Sequence, residues 1–183
     1  MAAFRSEVEV DTFVGLINET RKAISAEIEL HTKLLENSQK KHEVILNRNL
    51  EELQELTRWD EAILEEVAKW EDYLERATGG LAALWREKSE TLTMSRILEL
   101  AAEEQTEISS LVPELEAERL EFQDILAKLK EQNDTNTMLL RRSLAIVNYS
   151  LDVILGRRAE NSVYDDKGRR HDEGKKRFID SQA

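Results

Sequence analysis

VDTFVGLINETRKAISAEIELHTKLLENSQKKHEVIL, residues 10–46, sets Val10, Phe13, Ile17, Ile24, Ile28, His31, Leu35, His42 and Leu46 (or Ile45) at steps of three and four. That spacing lines one face of a helix, whereas a half-buried strand would alternate every second residue. Working outward, no Gly or Pro interrupts residues 16–78. The likeliest interruption is Asn47-Arg48-Asn49-Leu50-Glu51-Glu52, where an Asn side chain can cap a new helix and two acids then sit in its first turn. The pattern predicts helix one over 6–46 and helix two over 50–77, the latter with Leu53, Leu56, Trp59, Ile63, Val67, Trp70 and Leu74 inward.

Thr78-Gly79-Gly80 is expected to stop helix two, because Gly best takes the left-handed conformation past a helix end. A short helix with Thr93 as cap is expected to carry Met94, Ile97, Leu98 and Ala101. Pro113 lacks an amide hydrogen and marks a new start or a kink. From Glu114 the pattern of Leu115, Leu120 or Phe122, Ile125 and Leu129 meets no breaker before Gly156. At about 1.5 Å per residue the first and last helices are each roughly 60 Å long. Rods of that length bury their stripes against each other. The expectation is an all-α fold, an elongated antiparallel bundle of coiled-coil type, with residues 1–156 as one helical domain.

Composition agrees. One Pro and six Gly in 183 residues leave few tight turns, which nearly excludes all-β architectures. A net charge of −12 argues against a nucleic-acid partner, since phosphate binding needs a cationic face. The absence of Cys removes disulfides, thiolate metal sites and a Cys nucleophile. The first twenty residues carry acids where a signal peptide needs a basic start, so no export by that route is expected. Arg141, Arg142 and Asp152 interrupt the densest apolar stretch, so no membrane insertion is expected.

Searches for chemistry return little. A di-iron bundle needs Glu-x-x-His pairs, but Ile28, Gln39 and Gly168 stand three before His31, His42 and His171. His31 and His42 read instead as polar members of a helix seam. Tyr164-Asp165-Asp166-Lys167-Gly168 fails as a calcium loop, with Lys167 where an oxygen ligand belongs. No P-loop, GxSxG or HExxH is present. No enzyme, cofactor or metal is expected. Residues 157–183 hold eight Lys/Arg and six Asp/Glu with few large apolar groups, a flexible charged tail.

One stretch exceeds what a bundle needs. In Met138–Leu155 twelve of eighteen residues are apolar, against eight of twenty-four in Glu114–Thr137 on the same helix. Leu140, Leu144, Val147, Leu151 and Ile154 form one stripe, which a bundle core would absorb. Leu139, Ile146, Tyr149 and Val153 form a second, turned well away. The second stripe needs a cover, either a partner chain or another part of this one. The polar run Glu131–Thr137 just before it reads as a local kink or as a polar layer that fixes helix register.

Asn133-Asp134-Thr135-Asn136-Thr137-Met138-Leu139-Leu140-Arg141-Arg142-Ser143-Leu144, then Ile146-Val147-Asn148-Tyr149 and Val163-Tyr164-Asp165-Asp166-Lys167-Gly168, resembles the C-terminal signature of FlgN-type flagellar export chaperones. The likeness spans about residues 8–168, and its specific part is 133–155. It implies a cytoplasmic, non-enzymatic chaperone that binds the C-terminal segments of the hook-associated proteins FlgK and FlgL and delivers them to the type III export gate. On that resemblance Leu139, Leu140, Leu144, Ile146, Val147, Tyr149, Leu151 and Val153 are the client-binding residues. Tyr164 matches the tail tyrosine through which related chaperones contact the gate component FlhA. Two other readings fit long helices: a structural coiled coil, which the drift of helix one toward 3.6 periodicity disfavours, and a regulatory adaptor for another helical partner.

Overall fold

The computed structural model describes residues 7–104 and 107–155. Among them are four α-helices, α1 (Glu7–Leu46), α2 (Leu50–Trp85), α3 (Met94–Glu103) and α4 (Val112–Ile154), two 3₁₀ turns at Ser89–Thr91 and Glu107–Leu111, and no strand. The fold is an all-α helical bundle, as the periodicity predicts. The chain divides into two compact units, Met1–Asn136 and Thr137–Ala183.

In the first unit α1 and α2 form an antiparallel hairpin. Arg48 takes the left-handed conformation at φ 57°, and Asn49 caps α2 by accepting a hydrogen bond from the Glu52 amide while its own amide donates to the Glu52 carboxylate. Phe13 and Trp85 pair near the open end of the hairpin, ring centroids 5.0 Å apart, and Asn37 donates to the Leu56 carbonyl (2.7 Å) near the turn. α3 and the two 3₁₀ turns then carry the chain round, so that α4 starts beside the early part of α1. Arg21 bonds Glu118 (2.8 Å) and Glu114 (2.6 Å) there, and Ser38 meets Asn133 further along. α4 therefore runs parallel to α1.

The main core is Phe13, Ile17, Ile24, Leu81, Ile97, Leu98, Ala101, Ile108 and Leu115. A smaller cluster of Leu34, Ile63 and Val67, with Leu30 and Leu129 against it, continues toward the turn. Of the periodic residues of α1, Phe13, Ile17, Ile24 and Ile28 face the main core, but Leu34 rather than the expected Leu35 fills the smaller cluster, and Ile45 rather than Leu46 is buried at the end of the helix. On α4 it is Phe122, not the exposed Leu120, that packs inward. Thr93 caps α3 by accepting from the Arg96 amide, and Pro113 sits in the first turn of α4, where a missing amide hydrogen costs nothing.

Gly79 and Gly80 do not end α2, contrary to the expectation. The helix runs on to Trp85, and Arg86, at φ 58° and ψ 30°, supplies the left-handed cap. Packing overrides the local signal here. A Cβ on Gly80 would stand 3.0 Å from both methyl carbons of Leu16, so this residue lets the two helices approach, and the extra turns bury Leu81 and Ala82 completely or nearly so. At Gly79 a Cβ would meet only the Ser89 hydroxyl at 3.8 Å. Gly79→Ala is therefore expected to stabilise the fold by about 0.5 to 1 kcal/mol in urea denaturation, through reduced unfolded-state entropy. Gly80→Ala should give less than Gly79→Ala, or a loss.

Candidate partner-binding site

The run Glu131–Thr137 passes through α4 without a break and forms a polar layer on α1. Ser38 Oγ donates to Asn133 Oδ1 (2.6 Å), and Asn136 Nδ2 donates to the Ser38 carbonyl (2.7 Å). His42 Nδ1 lies 3.2 Å from Asn136 Oδ1, which also accepts from Gln132 (3.4 Å). Asn136 is buried among these groups. The layer thus resolves the choice between kink and register device in favour of the second, and His42 is the seam residue its spacing indicates.

About three turns before Ser38 on α1 the seam holds an ionisable group. Glu27 is 2% exposed, its Oε1 has no hydrogen-bond partner, and its Oε2 lies 3.2 Å from His31 Nδ1. That nitrogen is 2.8 Å from the Glu27 carbonyl, an acceptor only, so it carries the proton. The His31 ring stands edge-on to Phe122 of α4 at 5.1 Å. Burial, and after it the charge of Glu71 on α2, pushes the Glu27 carboxyl up to about 7. Among the described residues no cluster of three His, Asp or Glu could hold a metal. Glu27 and His31 therefore read as seam groups.

Beyond Asn136 α4 continues for eighteen residues, to Ile154. Leu140, Leu144, Val147, Leu151 and Ile154, expected to face a bundle core, are instead 44 to 60% exposed. The two core clusters draw their α4 members from Val112, Leu115, Phe122 and Leu129, all before Asn136, and none from this stripe. Of the second stripe, Ile146, Tyr149 and Val153 are half exposed or more, and Leu139 is half-buried. All eight residues expected to bind a partner thus lie on one uninterrupted helix. Tyr164 and the tail 157–183 lie outside the described residues.

Sequence reasoning underused Met138 and Leu155, which are exposed beside these stripes and extend the apolar surface at both ends. Their helical angles, which fall between the two stripes, were the available signal. The segment offers an acceptor-poor apolar rod with two guanidinium groups, Arg141 and Arg142, near its start. Such a surface performs no bond chemistry. It can bury apolar side chains of an amphipathic segment, with anchors three and four apart. No helix among the described residues is long and apolar enough to cross a membrane.

No curated protein and no solved structure matches the chain. A family model, that of the FlgN protein, matches residues 16–172. The match runs from within α1, through the polar layer and the apolar end of α4, to beyond the last described residue, and on that extent the chain belongs to the FlgN family of flagellar export chaperones, which are not enzymes and bind hook-associated proteins.

Proposed function

We propose that this chaperone works in the cytoplasm, takes up the C-terminal helical segments of FlgK and FlgL, and hands them to the export gate component FlhA. Residues 1–156 would form the chaperone domain and 157–183 a tail used at the gate, with Tyr164 as its docking residue. The observation that carries the reading is the exposed apolar end of α4 in an otherwise strongly acidic chain. Leu139, Leu140, Leu144, Ile146, Val147, Tyr149, Leu151 and Val153 are the contacts. None is more than 60% exposed, so burying all eight at about 1 kcal/mol each gives several kcal/mol gross, enough to offset a modest association cost.

Calorimetry of the full chain against C-terminal peptides of FlgK and FlgL tests this. Binding should be 1:1 with a negative heat-capacity change. Leu139→Asp combined with Tyr149→Asp should abolish it while circular dichroism stays helical, and unchanged binding in that double variant removes the assignment. Tyr164→Ala should keep peptide affinity and lose FlhA capture.

A further inference from the structure

We propose that the exposed end of α4 is the middle helix of a three-helix unit whose two outer helices both come from one client chain, one seated on each stripe. The proposal rests on the client reading above and specifies the form of the client. At about 100° per residue, Leu140, Leu144, Val147, Leu151 and Ile154 fall within roughly 40° of one line along the helix. Their steps of four, three, four and three are the spacing of a coiled-coil seam. Ile146 and Val153, with Leu139 and Tyr149, fall on a second line roughly 135° away. A single amphipathic helix presents one apolar face and covers one such line.

The lanes between the stripes differ. On one side lie Ser143 and Ser150, and the Ser150 hydroxyl already donates to the Ile146 carbonyl at 2.9 Å. At about 135° of separation the two outer helices, each about 8–10 Å from the α4 axis, stand about 17 Å apart and pack on α4 rather than on each other, with this narrow lane of small side chains between them. On the opposite side Arg141, Asn148 and Asp152, with Ala145 among them, make a middle suited to water, and the exposed Met138 and Leu155 close its two ends. From Leu140 to Ile154 the helix rises only about 21 Å, so each seam is short and weak by itself. Two helices joined in one chain occupy both seams for a single loss of translational and rotational freedom. Arg142 lies on the second line, between Leu139 and Ile146, so the client helix seated there should carry an acidic residue within its apolar face.

The test is calorimetry of the full chain with full-length FlgK, using Leu144→Asp with Leu151→Asp for the first stripe, Ile146→Asp with Val153→Asp for the second, and Arg142→Glu. Each stripe variant is expected to weaken binding by about 30-fold or more, and Arg142→Glu by about 10-fold. If one stripe variant binds within about twofold of wild type, the client uses a single helix; the client reading then stands and the two-helix form falls. If neither matters, both fall. A wild-type dimer in sedimentation that the second-stripe variant dissociates, with FlgK affinity unchanged, would assign that stripe to a second copy and overturn the proposal. Because the chain has no Cys, Leu144→Cys and Ile146→Cys each take one polarity-sensitive dye, which gives a readout on folded protein: both dyes should shift to the blue on adding FlgK, and a shift at only one position overturns the two-helix form.

Discussion

Glu27→Gln is expected to remove most of the pH dependence of folding stability between pH 5 and pH 8. In the wild type the folded-state carboxyl titrates at about 7, above its ordinary value of 4.5. A group whose folded value is raised contributes stability that is fully present below the unfolded value and is lost as pH rises through the folded one. Across that window the wild type should lose on the order of 3 kcal/mol from this residue, at about 1.36 kcal/mol per pH unit. The glutamine keeps the shape and never ionises. Its amide gives the pocket a neutral donor. Urea denaturation at pH 5.5, 7 and 8.5 should show the variant's advantage growing with pH and levelling off above 7.5. Parallel profiles for the two proteins would mean that Glu27 is hydrated in solution.

The groups facing Glu27 bear on the sign. His31 on α1 donates its Nδ1 proton to the Glu27 carbonyl, and Glu71 approaches from α2. Phe122 closes the α4 side through its edge contact with His31. The nearest charge on α2 is thus another carboxylate, which opposes ionisation as burial does. Glu71→Lys should lower the Glu27 value and flatten the wild-type profile in the same direction as Glu27→Gln, though by less.

Leu81→Ala should cost about 2 to 5 kcal/mol, the range for large-to-small changes at fully buried aliphatic positions. Leu81 is 0% exposed and belongs to the main core with Phe13, Ile17, Ile97 and Ile108. Had α2 ended at Gly79, the residue would lie in a connecting loop and the change would cost a few tenths of a kcal/mol. Chemical denaturation distinguishes the two cleanly. A loss below about 1 kcal/mol would mean that the last turns of α2 are frayed in solution.

That residue also shows where the sequence is silent. The start and end of α1, the Asn49 cap, the Thr93 cap and the place of Pro113 follow from short-range chemistry that any six-residue window contains. The continuation of α2 does not, because the glycines that locally favour a stop are needed for an approach to Leu16, sixty-four positions away. The choice of Phe122 over Leu120 is non-local too: both fit a helical step, and only the edge of His31 on α1 separates them. For the candidate site the apolar surplus was legible by counting. Its distribution was not, since nothing in residues 138–155 states that the core clusters take no residue of α4 beyond Leu129.

The hydrogen-bonded layer of Ser38, Asn133, Asn136 and His42 acts as a brake. Helices joined only by leucines can slide past each other a turn at a time, and a chaperone built that way could draw its own sticky end into shelter. Here, moving Leu140 into the place of Asn136 would take from the buried Ser38 hydroxyl and from the His42 ring their contacts with Asn136, at about 1 kcal/mol each. The layer thus sets a cost on any one-turn slip of α4 along α1 that leucine packing alone would not impose.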